Sequence, residues 1–90
     1  METILVVDDD PSARLVLSAI LDAEGYSTVN AADGTEGRAI LQQDRGTINA
    51  VVLDWQMPGM NGIELLQWMK GQTVLENTPV ILQTAMNTPE

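Results

Sequence analysis

The stretch Thr3-Ile4-Leu5-Val6-Val7-Asp8-Asp9-Asp10-Pro11 decides the fold, because it joins an apolar run to the start of a helix. Residues 3–7 are almost wholly apolar, as in a strand that is buried on both faces of a parallel sheet. Asp10 followed by Pro11 is typical of a helix N-cap and the first helical residue. Asp8 and Asp9 are therefore predicted to lie where the strand ends and the chain turns into the helix.

The first helix is amphipathic in pattern and is predicted to end at Gly25, a natural C-cap. The apolar residues that recur at helical spacing are Leu15, Val16, Ala19, Ile20 and Ala23. Residues 26–30 then predict a second, weaker strand. Asp33 and Glu36 have the spacing of a capping box, which predicts a second helix that ends near Gly46.

The second half of the chain repeats this alternation of strand and helix. Residues 50–53 are apolar and predict a third strand, and residues 61–64 repeat the capping pattern ahead of a third helix that Gly71 ends. Residues 72–78 are predicted to be a surface loop, and residues 79–82 a fourth strand. The order βαβαβαβ predicts an α/β fold with a parallel sheet and helices on both of its faces.

The composition narrows the classes of function. The chain has 90 residues, enough for one small domain, and no apolar run approaches the roughly 20 residues of a membrane span. It has neither cysteine nor histidine, which excludes disulfides and the usual zinc sites and suits a cytoplasmic protein. The formal charge of −9 indicates that this segment does not bind nucleic acid by itself.

Acidic residues occur where ligands bind in such a sheet, at the carboxyl ends of the strands. Asp8 and Asp9 end strand one, Asp54 ends strand three, and Thr84 follows strand four. If these strands are neighbours, three carboxylates and a hydroxyl converge at one edge. Carboxylates that converge repel one another, and Mg²⁺, which prefers oxygen ligands, relieves that repulsion. A carboxylate beside Mg²⁺ can also attack phosphorus and form an acyl phosphate.

Three segments of the sequence together resemble the receiver domains of two-component response regulators. Val6-Val7-Asp8-Asp9-Asp10 is similar to the opening of that family. Asp54-Trp55-Gln56-Met57-Pro58-Gly59-Met60-Asn61-Gly62 matches its Asp-x-x-Met-Pro-x-x-x-Gly signature without a gap. Thr84-Ala85 falls where the family has a switch hydroxyl and a small residue. The resemblance covers the whole chain and implies a flavodoxin-like sheet with strand order 2-1-3-4 in residues 1–90.

The resemblance also implies roles for individual residues, with Mg²⁺ as the cofactor. Asp54 is similar to the phosphoacceptor, and Thr84 to the residue that swings toward the phosphoryl group. Backbone N–H groups of Trp55 and Ala85 would help to hold that group. The implied Mg²⁺ ligands are Asp8 (through water), Asp9, Asp54 and the backbone carbonyl of Gln56. The implied phosphate donor is a sensor histidine kinase or a histidine phosphotransfer protein, and the domain signals by changing conformation rather than by acting as an enzyme on a substrate.

The family pattern includes a fifth strand with a phosphate-binding lysine, followed by the last helices. We expect these elements after Glu90. Thr88-Pro89-Glu90 is typical of a helix start, so we expect the chain to be cut short. Two alternatives stay open. One is a fragment that acts as a self-associating module through strand four. The other is an Asp-nucleophile phosphotransferase, although such enzymes carry a second Asp where this chain has Gln56.

Overall fold

Strands and helices alternate along the chain in a computed structural model that describes residues 2–44, 46–54 and 62–83. The strands are β1 (Thr3–Val7), β2 (Ser27–Ala31), β3 (Ile48–Asp54) and β4 (Val80–Gln83). The helices are α1 (Pro11–Ala23), α2 (Gly34–Asp44) and α3 (Gly62–Lys70), and a 3-10 turn, η1, spans Thr73–Leu75. The predicted order of elements is confirmed, and the predicted strand ends differ from the observed ones by no more than about two residues. Within the described ranges, no helix combines the length and the apolar character that a membrane crossing requires.

The four strands form one parallel sheet in the order β2-β1-β3-β4, as the resemblance implied. Val7, the last residue of β1, pairs with Ala31 of β2 on one side and with Leu53 of β3 on the other. Asp54 pairs with Gln83 of β4. The carboxyl ends of β1, β3 and β4 therefore lie at the same edge of the sheet.

Helices pack on both faces of the sheet. Alternate side chains of a strand point to opposite faces, so the strands contribute apolar residues to a cluster on each face. On one face, Leu5, Val51 and Leu53 form a buried cluster with side chains from α2, α3 and η1, namely Leu41, Leu65, Met69 and Leu75. On the other face, Val6 packs with α1 in a smaller cluster. A fully buried Leu or Val contributes about 1.5–3 kcal/mol to folding, so the two clusters supply most of the stability of this sheet.

The apolar residues whose spacing predicted α1 are not the ones that pack on the sheet. Leu15, Val16, Ala19, Ile20 and Ala23 are all exposed, with Leu15 at 72% and Ile20 at 55% of full accessibility. Leu17 and Leu21 pack against the sheet instead. The helix carries two apolar stripes, and the periodicity alone does not show which stripe contacts the sheet.

The first helix begins and ends as the sequence predicted. The side chain of Asp10 accepts a hydrogen bond from the backbone N–H of Ser12 at 2.9 Å, and Pro11 is the first helical residue. After Ala23, Gly25 adopts a φ of 94°, a conformation that costs glycine little and other residues more. These caps fix where the chain leaves the edge that carries Asp8 and Asp9.

The capping box of α2 is also present. The carboxylate of Asp33 accepts from the N–H of Glu36 at 2.8 Å, and the carboxylate of Glu36 accepts from the N–H of Ala32 at 2.8 Å. The reciprocal bond thus reaches one residue further back than in the usual box. The predicted loop 72–78, by contrast, contains η1 and buries Leu75 at 4% exposure, so this part of the prediction was wrong.

Candidate metal and phosphoryl-acceptor site

Asp8 ends the first strand as a buried acid. Its side chain is 3% exposed, while that of its neighbour Asp9 is exposed. The backbone N–H of Asp8 donates to the carbonyl of Ala31 at 3.1 Å, so the ladder to β2 continues through this residue. Its carboxylate oxygen Oδ1 accepts from the N–H of Asp10 at 2.9 Å, which closes a local turn. The Asp8 carboxylate is therefore held by the same turn that starts α1.

Asp54 ends the third strand and is also buried, at 2% exposure. It takes part in interactions within the folded chain and pairs in register with Gln83. Because β3 lies between β1 and β4, Asp54 is placed in the middle of the edge where the strands end. An acid at such a position is shielded from bulk water on the sides that the two neighbouring strands occupy.

The three predicted acids meet. One carboxylate oxygen from each of Asp8, Asp9 and Asp54 lies within 4.8 Å of the other two. This confirms the convergence expected from the sequence. Unit charges about 4 Å apart repel by roughly 1 kcal/mol in water and by roughly 4 kcal/mol near a protein surface, so this arrangement favours a bound cation.

The donor set of this cluster fits magnesium. All three side chains offer oxygen, and the chain contains no histidine or cysteine to supply nitrogen or sulfur. Mg²⁺ is a hard ion that takes one or two carboxylates directly and keeps several waters. The exposure of Asp9 leaves one side of the cluster open to solvent, from which such waters come.

Four of the predicted site residues lie outside the described residues: Trp55, Gln56, Thr84 and Ala85. Their roles stay predictions. Lys70, the cation nearest the end of the sequence, is exposed in the last turn of α3, where its charge interacts favourably with the helix dipole.

The sequence pattern did not single out Arg14, which the structure connects to the site. Its guanidinium nitrogen Nη1 donates a hydrogen bond to the backbone carbonyl of Asp8 at 2.6 Å. A signal was present in the sequence. Arg14 is the fourth residue of α1, and cations near a helix N-terminus are disfavoured by the dipole. A basic residue at such a position has to be stabilised by another interaction.

Comparison with known proteins places the sequence in a family. The family model described as the response regulator receiver domain matches residues 4–90. Sporulation initiation phosphotransferase F of Bacillus subtilis (strain 168) is 42% identical over 84 residues. That match covers 93% of this chain and 64% of the relative, so the chain spans somewhat less than two thirds of that protein's length.

Two solved structures have the same fold and are each 34% identical in sequence to this chain. The response regulator protein TrrA of Thermotoga maritima, in complex with Mg²⁺-BeF, has a TM-score of 0.87 and 34% identity over 97% of this chain and 72% of its own. The complex of the histidine kinase ThkA with TrrA contains a chain with a TM-score of 0.80 and 34% identity. That match covers 98% of this chain and 72% of the other. These likenesses confirm the flavodoxin-like fold.

Proposed function

Because this chain belongs to the family of response regulator receiver domains, we propose that it accepts a phosphoryl group on Asp54 and relays a signal. The observation that carries the proposal is the meeting of Asp54 with Asp8 and Asp9, whose carboxylate oxygens lie within 4.8 Å of one another. The buried acceptor and the two acids beside it are what an Asp-to-phosphorus transfer requires. Residues 1–90 would then be the N-terminal four βα units of a receiver domain.

In the proposed reaction, a carboxylate oxygen of Asp54 attacks the phosphorus of a phosphohistidine. The new O–P bond forms as the N–P bond to the histidine ring breaks, and the ring nitrogen keeps the electron pair. The other ring nitrogen carries a proton throughout, so the products are an acyl phosphate and a neutral histidine. The low exposure of Asp54, 2%, limits access of bulk water to the carboxyl group on which the acyl phosphate forms.

Asp8 and Asp9 are proposed to hold the metal that this chemistry needs, together with Asp54. Bound Mg²⁺ would neutralise charge on the transferring phosphoryl group. Asp9 is the exposed member and is proposed to ligate directly, whereas the buried Asp8 also accepts the Asp10 N–H and is proposed to act through water. The backbone carbonyl of Gln56 remains a proposed fourth contribution.

The remaining roles are proposed from the family resemblance. The N–H groups of Trp55 and Ala85 would bind the phosphoryl oxygens, and the Thr84 hydroxyl would move toward them. The domain is proposed to catalyse at most its own phosphorylation and dephosphorylation, and to work in the cytoplasm without contacting nucleic acid or membrane through this segment.

The proposed phosphate donor is a sensor histidine kinase or a histidine phosphotransfer protein. A TrrA chain similar to this one was solved with the histidine kinase ThkA, which supports a kinase partner. The donor histidine has to reach Asp54, so it approaches the edge of the sheet from which α1 starts. Leu15 and Val16 are exposed on the early turns of α1, at 72% and 56%, and offer an apolar contact surface beside that edge.

Self-association is a second proposed property, supported by β4. Within the described sheet, β4 pairs only with β3, and its residues Ile81 and Leu82 are 58% and 43% exposed. An apolar strand at the end of a sheet is a template for pairing with another chain. A second copy of this chain is the proposed partner.

A small-molecule phosphodonor tests the phosphoacceptor role. Incubation of the full-length protein with acetyl phosphate and Mg²⁺ should add one acid-labile phosphoryl group of about 80 Da, seen by intact mass spectrometry. Asp54→Ala should gain none, while Glu24→Ala, which removes an exposed acid just after α1, should behave as the wild type does. Labelling of Asp54→Ala at the wild-type level would show that another residue is the acceptor.

A further inference from the structure

Arg14 connects the first helix to the end of the first strand. Its backbone N–H donates to the carbonyl of Asp10 at 3.0 Å, as the helix requires, and its Nη1 donates to the carbonyl of Asp8 at 2.6 Å. The side chain is half-buried. One residue of α1 is thus bonded to both ends of the segment that carries Asp9.

The carbonyl that Arg14 binds controls the placement of Asp9. The carbonyl of Asp8, the N–H of Asp9 and the Cα of Asp9 belong to one planar peptide unit. On its other side, Asp8 is fixed by two bonds, from its N–H to Ala31 and from the Asp10 N–H to its carboxylate. A charge-assisted bond to the Asp8 carbonyl therefore fixes the plane from which the Asp9 side chain starts.

Asp9 needs such a constraint more than the other members of the cluster do. Asp8 and Asp54 are buried, at 3% and 2% exposure, and Asp54 ends a paired strand, whereas Asp9 is exposed. Repulsion from two buried carboxylates favours movement of the Asp9 carboxylate toward solvent. A fixed peptide plane opposes that movement and keeps the cluster ready for a cation.

We propose that Arg14 is a positioning residue for the cluster of Asp8, Asp9 and Asp54, which holds the peptide between Asp8 and Asp9 in the orientation that binds a divalent cation. This inference rests on the proposed function, because it assumes that the cluster binds Mg²⁺. Arg14 itself does not contact the cation; it acts through the backbone. Groups that orient metal ligands in this way typically change the metal affinity about 10–100-fold when they are removed.

Arg38 provides a matched control. Its guanidinium lies over the ring of Trp68 at 5.0 Å from the ring centroid, between α2 and α3. Arg14→Gln and Arg38→Gln both change the formal charge from −9 to −10, so their long-range electrostatic effects on a cation have the same sign. A purely electrostatic role predicts slightly tighter Mg²⁺ binding in both variants, since each loses a positive charge.

The experiment is a Mg²⁺ titration by calorimetry of the wild type, Arg14→Gln, Arg14→Lys and Arg38→Gln. We expect Mg²⁺ to bind Arg14→Gln about tenfold more weakly than the wild type, and Arg38→Gln as tightly as the wild type or slightly more tightly. Arg14→Lys should recover part of the loss, because an ammonium group can donate to the same carbonyl. Without metal, amide NMR shifts should change in Arg14→Gln at Asp9 and Asp10 and not in α3.

The outcomes separate this inference from the proposed function. No Mg²⁺ binding by the wild type would overturn the metal site and the inference with it. Binding by the wild type with equal affinity in Arg14→Gln and Arg38→Gln would overturn only the role of Arg14. If Arg14→Gln does not fold, Arg14→Lys and Arg38→Lys are compared instead. A severalfold loss of Mg²⁺ affinity in Arg14→Lys alone supports the positioning role. Equal Mg²⁺ affinities in the two lysine variants overturn it.

Discussion

Val7 of β1 pairs with Leu53 of β3 in a parallel ladder, and the residue that follows each of them is a buried aspartate. The register therefore brings Asp8 and Asp54 to the same level at the edge of the sheet. A shift of the register by one residue would move the side chains of a strand to the opposite face and separate the two carboxylates. The geometry of the site thus depends on the apolar pairing beneath it.

The exposed acid of the cluster should dominate its metal affinity. Asp9→Asn removes a proposed direct ligand and a charge, so we expect Mg²⁺ to bind at least about tenfold more weakly, a loss of roughly 1.4 kcal/mol. Asp22→Asn, an exposed acid late in α1, changes the net charge equally and should leave the affinity within about twofold of the wild type. Tryptophan fluorescence or calorimetry measures both, and equal affinities in the two variants would count against the site.

The buried carboxylate of Asp54 should lower the stability of the metal-free chain. Asp54→Asn removes one of three mutually repelling carboxylates, so we expect the free energy of unfolding without metal to rise by about 1 kcal/mol. Mg²⁺ at about 100 times its dissociation constant should stabilise the wild type by about 2.7 kcal/mol and the variant by less. Urea unfolding with and without Mg²⁺ measures both effects. A variant that is less stable than the wild type without metal would show that bonds made by Asp54 outweigh the repulsion.

The sequence predicted those parts of the fold that depend on the order of elements and on strand ends. Asp8, Asp9 and Asp54 could be placed together because the ends of parallel strands share an edge, whatever their side-chain conformations. The contact between Arg14 and the Asp8 carbonyl could not be predicted, since it depends on one conformation of a long side chain. Leu75 was missed for a different reason: Val74 and Leu75 are two adjacent apolar residues in a polar loop, and they show no periodicity that predicts which of them is buried.

The face of α1 that packs on the sheet can be tested by substitution, because the helix carries two apolar stripes and only one of them contacts the sheet. Leu21→Ala should lower the free energy of unfolding by about 2 kcal/mol, since Leu21 packs against the cluster of Ile4, Val6 and Val52. Leu15→Ala, at a residue that is 72% exposed, should change it by less than about 0.5 kcal/mol. Urea unfolding of the two variants decides between the stripes, and a larger loss for Leu15→Ala would show that the stripe of Leu15 packs on the sheet.

Strand β4 should cause the chain to self-associate. Ile81 is 58% exposed on a strand that, within the described sheet, has a neighbour on one side only. A charged residue on such a strand discourages pairing, so Ile81→Lys should shift the chain toward the monomer in sedimentation velocity across a concentration series. Val74→Lys is the matched control, because it places the same charge on η1 at a residue that is 61% exposed and should leave self-association unchanged. A wild type that sediments as a monomer at every concentration would contradict the prediction, and equal loss of association in both variants would attribute it to charge rather than to the strand.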